Sequence, residues 1–265
     1  MRDNFVKRTL RGGGVSMGVM CLEFATPGIG RLSAEAGAEF AVFDMEHTGW
    51  SLETVKMLAA TSRAAELVPI VRVPTCDYHF IAHSLDVGAM GVVIPLVGTA
   101  EQARFAVESA MYPPRGRRGC AFALAHDDFK GGDVGRKMEH TNENVLLIAQ
   151  IETAEGVRNV DAIAAVDGID ALWIGQFDLT TSLGIPGKFD HPSFVDASKK
   201  IADACRKHGK AATLAVMDPA QLSEGPSNGF RLLVYVADLW IYQQALRRCF
   251  RQIREAQAAP SRSAT

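Results

Sequence analysis

The sequence predicts a (β/α)8 barrel. Short apolar runs rich in β-branched residues alternate with longer amphipathic stretches, eight strands each followed by a helix. No two strand-like runs are joined by a hairpin signal, so the strands read as parallel. The chain has 265 residues, and a barrel of this kind typically takes about 250 residues.

The elements follow in order. Arg11-Gly-Gly-Gly14 lacks phosphate-loop spacing and reads as a flexible lead into strand one, expected over 15–23. A helix is expected over 28–36, a strand over 40–47, and a helix over 52–65. The third strand, 68–74, carries Val71-Arg-Val-Pro74 and leads to a helix over 78–87. The fourth pair is 91–97 and 100–110. Residues 112–144 then form a long polar excursion rich in Gly and Arg; a structureless loop of this length is usually functional or ordered by a partner. Strands five and six are expected over 146–152 and 169–177, with helices over 154–166 and 192–208. Strand seven (211–216), a short helix (219–222), strand eight (231–239) and a basic last helix (242–256) complete the barrel. Residues 1–257 thus read as a single domain, and 258–265, which lack core-forming residues, as a disordered tail.

Composition narrows the function. The chain is 48% hydrophobic and 22% charged with a formal net charge of -2. That balance gives no reason to expect nucleic acid or a membrane surface as a partner. No apolar run approaches the roughly 18 residues of a membrane span, and the polar N-terminus has no signal-peptide segment. Cys21, Cys76, Cys120, Cys205 and Cys249 are scattered and odd in number. Reduced thiols in a cytoplasmic protein fit them better than a disulfide framework.

The chemistry is expected at the C-terminal ends of the strands. Strand five ends in Glu152 and strand six in Asp178. A desolvated carboxylate is costly unless it meets a cation or a donor. Two such ends suggest a site for magnesium or manganese, which binds one or two carboxylates and leaves room for water and substrate oxygens. The alternative is that each carboxylate caps the following helix or pairs with an arginine. Leu146, Ile148, Gln150 and Glu152 share one strand face, as do Val68, Ile70 and Arg72, so Gln150, Glu152 and Arg72 should face the barrel interior. Gly175 can break that alternation before Asp178. Arg72 suits a substrate carboxylate or enolate; its alternative is a structural ion pair with Glu46 or Asp44. His47 is a candidate proton shuttle, or a histidine satisfied by a neighbouring carboxylate. His79 and His83 have the i, i+4 spacing of helical metal ligands but no third partner, and read as a solvated face. The nine lysines avoid the C-terminal ends of the strands, so carbonyl chemistry through an imine is not expected.

At these residues the chain resembles the metal-dependent pyruvate aldolases of the HpcH/HpaI family, among them 4-hydroxy-2-oxoheptanedioate and 2-keto-3-deoxy sugar-acid aldolases. The matching segments include Asp44-Met-Glu-His47, Val71-Arg-Val-Pro74, Leu85-Asp-Val-Gly-Ala89, Val93-Ile-Pro-Leu-Val97, Tyr112-Pro-Pro-Arg-Gly-Arg-Arg-Gly119, Gln150-Ile-Glu-Thr153 and Ile174-Gly-Gln-Phe-Asp-Leu179. In the family's order they run from residue 15 to about residue 240. The resemblance implies a TIM barrel of the phosphoenolpyruvate/pyruvate-binding type. It implies Glu152 and Asp178 as ligands of Mg2+ or Mn2+, with Co2+ as a substitute, and a 2-oxo acid chelating that metal. Arg72 would stabilise the enolate oxygen, and His47 would act as acid-base group with Asp86 of a neighbouring subunit. Gln150, Gly175, Phe177 and Leu214 would line the substrate site, Leu214 beside the acceptor. The implied activity is reversible cleavage of a 4-hydroxy-2-oxo acid to pyruvate, or a related 2-oxo acid, and an aldehyde, by a homotrimer or homohexamer that exchanges its last helix. Alternatives are a decarboxylase or other enzyme of the same metal enolate, and a barrel that binds 2-oxo acids without turnover. Phe177 stands where family members often have a small residue, Gln176 replaces the usual proline, and Cys21 takes the place of an acceptor-lining aromatic residue. These differences bear on substrate size.

Overall fold

The computed structural model describes residues 2–218 and 228–258. Eight parallel strands close into a barrel in sequence order. They are β1 (Ser16–Cys21), β2 (Phe40–Asp44), β3 (Val68–Arg72), β4 (Gly91–Ile94), β5 (Leu146–Ile151), β6 (Ala171–Ile174), β7 (Ala211–Val216) and β8 (Phe230–Tyr235). The described helices are α1 (Phe5–Arg11), α2 (Ile29–Glu35), α3 (Leu52–Ala64), α4 (Tyr78–Asp86), α5 (Ala100–Ala110), α6 (Val134–Asn144), α7 (Ala154–Arg158), α8 (Val160–Ala164), α9 (Gln176–Ser182), α10 (Pro192–Lys207) and α11 (Asp238–Ala258). Every residue of β2 to β6 is buried. Strands covered on both faces need apolar side chains on both, which is why these runs lack polar alternation.

Two apolar layers result. Phe40, Val42, Ile70, Val93, Ile148, Trp173 and Val234 fill the barrel, and Val6 and Leu10 of α1 join them. The alternate strand residues, such as Val71, Val92, Leu147 and Leu172, pack outward against the helices. Helix starts are set by side-chain caps: Ser51 on α3, Asp77 on α4, Thr99 in a capping box on α5 and Thr153 on α7.

Strands β1 to β4 end two or three residues earlier than expected and α1 was not expected; the larger departures from the sequence-based boundaries are these. The chain expected as the end of strand six turns after Ile174, and Gln176–Ser182 is helix α9, with Asp178 in its first turn. The chain expected to finish strand eight leaves the sheet after Tyr235, and α11 starts at Asp238. The helix expected over 154–166 is two, divided at Asn159, whose side chain donates to the Gly98 carbonyl at 2.8 Å. The excursion is not structureless, because it contains α6. Polar contacts hold that helix: Asn142 bonds both the N–H and the carbonyl of Tyr112, and Lys137 Nζ lies 2.6 Å from Asp127. The helix expected over 219–222 and residues 259–265 of the expected tail lie outside the described residues.

Candidate active site

Asp44 and Arg72 are register partners at the ends of β2 and β3. Arg72 donates through Nε to Asp44 Oδ1 at 2.7 Å and through Nη2 to Oδ2 at 2.8 Å, a fork-to-fork pair in which Asp44 is fully buried. The same carboxylate accepts the N–H groups of Glu46 and His47 at 3.1 and 3.2 Å. One aspartate therefore fixes both the arginine and the turn that follows β2. The ion pair leaves Nη1 without a hydrogen-bond partner among the described residues. Glu46 Oε2 lies 3.2 Å from Arg72 Nε and 3.8 Å from His47 Nε2, and accepts no hydrogen bond. Burial pushes the Glu46 carboxyl up to about 7; Arg72 opposes the shift, while Glu152, Asp44 and Asp178 add to it. The His47 side chain is 56% exposed.

Glu152 follows β5 directly and is 1% exposed. Its Oε1 accepts the Leu96 N–H at 2.6 Å and its Oε2 accepts Gln150 Nε2 at 2.5 Å. Leu96 adopts a left-handed φ of 54°, a strained conformation for a leucine, in the loop that makes the first of these bonds. Gly175 closes the third side. A Cβ there would lie 2.3 Å from Glu152 Oε2 and 2.5 Å from Glu152 Cβ, so only glycine lets the chain pass. Burial holds the Glu152 carboxyl above its ordinary range; the bonds from Gln150 and Leu96 and the Arg72 charge oppose this, while Asp178 adds to it.

A divalent cation fits this donor set. Glu152 is a buried acid whose charge is opposed by the exposed Asp178, and a cation held by both would relieve the burial penalty and the repulsion at Glu152. No cluster of three or more His, Cys, Asp or Glu side chains suited to a metal occurs among the described residues. Two carboxylates leave most of an octahedral shell to water and substrate, as magnesium and manganese prefer and as a closed structural zinc site does not.

The remaining residues have the following surroundings. Phe177 is 56% exposed, its ring edge-on to Phe189 at 5.1 Å, and Phe189 in turn meets the buried Phe194. Leu214 packs with the helix-facing layer, whereas its neighbour Ala215 belongs to the barrel filling. Gln176 Nε2 donates to the Ala215 carbonyl at 2.9 Å and ties α9 to the end of β7. Asp86, at the end of α4, pairs with Arg118; no bond joins it to His47 within the described residues. Sequence reasoning passed over Asp44 as more than a structural partner, although it shares the inward face of Phe40 and Val42. The Leu96 amide left no trace in the sequence, because a backbone donor is independent of residue type.

A model of the HpcH/HpaI aldolase/citrate lyase family matches residues 19–231. The chain belongs to that family. It is 38% identical over 202 residues to a 4-hydroxy-4-methyl-2-oxoglutarate aldolase of Chaetomium globosum, covering 76% of this chain and 74% of the relative. It is 32% identical over 250 residues to a 2-keto-3-deoxy-L-rhamnonate aldolase of Salmonella schwarzengrund, covering 92% and 91%. The crystal structure of an HpcH/HpaI aldolase from Desulfitobacterium hafniense superposes with a TM-score of 0.90 at 30% identity, covering 94% of this chain and 96% of that one. The chain is accordingly a (β/α)8-barrel enzyme of the aldolase type, a carbon–carbon lyase, as the resemblance implied.

Proposed function

We propose that the protein is a divalent-metal-dependent aldolase that cleaves a 4-hydroxy-2-oxo acid to pyruvate, or a close 2-oxo acid, and a carbonyl partner. The observation that carries this reading is the clamped, buried Glu152 carboxylate beside Asp178 and Arg72. Glu152 and Asp178 would hold magnesium or manganese, with cobalt as a substitute. When bound, such a cation supplies a Lewis acid for a chelating 2-oxo acid. Arg72, fixed by Asp44, turns its unpaired Nη1 to the negative charge that grows on the substrate oxygen as the carbon–carbon bond breaks. His47 takes the proton of the 4-hydroxyl, and returns it in the synthetic direction. The imidazole is free on its solvent side, where Asp86 of a second copy would orient it. Gln150 holds Glu152, and Gly175 gives that carboxylate its room.

An exposed last helix and an apolar groove support the reading of an assembly in which that dyad would form. Of the 21 residues of α11, Asp238 alone is buried, and its carboxylate accepts the N–H groups of Leu22, Glu23 and Phe24. Beside it runs an apolar groove of about 650 Å³ lined by Met17, Val19, Ile29, Leu32, Leu233 and Ile241. A homotrimer or homohexamer in which this groove receives the last helix of a neighbour would cover both surfaces. The five free cysteines fit a reducing, cytoplasmic setting.

The test is a pyruvate-release assay on 4-hydroxy-4-methyl-2-oxoglutarate, 2-keto-3-deoxy-L-rhamnonate and a panel of related 4-hydroxy-2-oxo acids. Pyruvate should appear together with a carbonyl product, and Glu152→Gln should abolish both. Carbon dioxide without a carbonyl product from every substrate would replace the aldolase reading with decarboxylation.

A further inference from the structure

Asp86 and Arg118 pair differently from Asp44 and Arg72, and share with Asp128 and Arg63 the use of a single carboxylate oxygen. Arg72 and Asp44 meet fork to fork and use both carboxylate oxygens. Arg118 converges on one oxygen: Nε lies 3.2 Å and Nη2 2.6 Å from Asp86 Oδ1. Oδ2 accepts no hydrogen bond from the described residues, and the Asp86 side chain is 27% exposed while that of Arg118 is 1% exposed. The guanidinium is held in turn by the excursion, lying 4.7 Å over the ring of Tyr112. Asn142 of α6 brackets Tyr112 through both of its backbone polar groups. A pair serving packing alone gains most by matching both forks. Here one carboxylate oxygen is anchored from inside and the other is left for a donor from outside.

We propose that Arg118 is a positioning residue of the active site, anchoring one oxygen of Asp86 so that the other is presented to His47 of a second copy of this chain. This rests on the reading of Asp86 and His47 as an intersubunit dyad. The excursion after α5 then serves catalysis, because Tyr112, Arg118 and α6 form a rigid seat for a carboxylate that acts in a neighbouring site. A fixed carboxylate partner favours the imidazolium form and one ring orientation, so loss of the anchor should mimic loss of the carboxylate.

The experiment is the pH profile of kcat/KM for the oligomeric wild type, Asp86→Asn, Arg118→Met, Arg118→Gln, Arg118→Lys and the double variant Asp86→Asn/Arg118→Met. Asp86→Asn should move the histidine limb to lower pH. Arg118→Met and Arg118→Gln should move it in the same direction and lower kcat/KM on the order of 10-fold. Arg118→Lys should restore part of the loss, and the double variant should be no worse than Asp86→Asn. Arg118→Gln decides the matter alone if Arg118→Met does not fold. A limb unmoved in the folded Arg118 variants, or moved to higher pH, overturns the positioning role while leaving the dyad intact; so do losses that multiply in the double variant. A limb unmoved in Asp86→Asn overturns the dyad itself and this proposal with it.

Discussion

At the scale of single residues, Asp44, Arg72 and Glu152 are buried charges at the barrel mouth, and their partners serve more than one end. Asp44 is the clearest, since it fixes Arg72 and the turn bearing Glu46 and His47 at once. Arg72→Lys loses the fork and leaves Asp44 poorly matched in a buried position. We expect a loss of about 2–4 kcal/mol in denaturant unfolding and a fall of ~10²- to 10³-fold in kcat/KM; a variant as stable as wild type would show that the pair contributes nothing net. Gly175→Ala places a methyl against Glu152 and should weaken metal binding by at least ~10-fold in titration calorimetry, with little loss of secondary structure. Unchanged affinity would mean that the chain at Gly175 shifts freely. Glu46 supplies a pH signature in protein stripped of divalent cations. Its folded pKa, about 7, lies above the ordinary 4.5. Between those values the folded state keeps a proton that the unfolded chain gives up, so stability falls as pH rises through this window and levels off above it. The fall attributable to Glu46 is up to about 3 kcal/mol. Glu46→Gln should flatten that part of the slope between pH 5 and pH 8; an unaltered slope would assign it to other groups, Glu152 first among them.

At the scale of elements, strand periodicity made much of the site legible. The inward alternation of β3 and β5 points to Arg72, Gln150 and Glu152 from the sequence alone, because side chains two apart must share a face. Where a strand stops early, that periodicity misleads. Gly175 ends β6 and starts α9, so Asp178 comes from a helix's first turn and Phe177 from its exposed edge rather than from a strand. Helix α6 was illegible for a different reason: it buries Lys137, Thr141 and Asn142, and polar burial gives no apolar period to read. Leu214 was placed beside the acceptor by resemblance, and its side chain packs outward toward the helices. The placement of Phe177 also changes what its truncation should do. A core phenylalanine costs roughly 3–5 kcal/mol when cut to alanine, but this ring is half in solvent. Phe177→Ala should therefore cost below about 1 kcal/mol, while the kcat/KM ratio between bulky and small acceptors shifts by ~10- to 200-fold if the ring borders the acceptor. Flat ratios would mark it as a lid on Phe189 alone.

At the scale of the whole molecule, the barrel gathers groups from β2, β3, β5 and α9 at one mouth, with the His47 side chain mostly exposed. The fold was readable as a whole because eight buried runs alternate with helices and no hairpins intervene. The apolar groove beside α11 was not, since it arises from helix placement and not from any one segment. The central claim is that Glu152 and Asp178 form a two-carboxylate site without which the lyase is inactive. Its most direct measurement is pyruvate release by chelator-treated protein, followed by addition of Mg2+, Mn2+ or Co2+, for wild type and Glu152→Gln alike. Wild type should fall silent on chelation and recover with each of these ions, and Glu152→Gln should recover with none. Full activity after exhaustive chelation, or in Glu152→Gln, would contradict it.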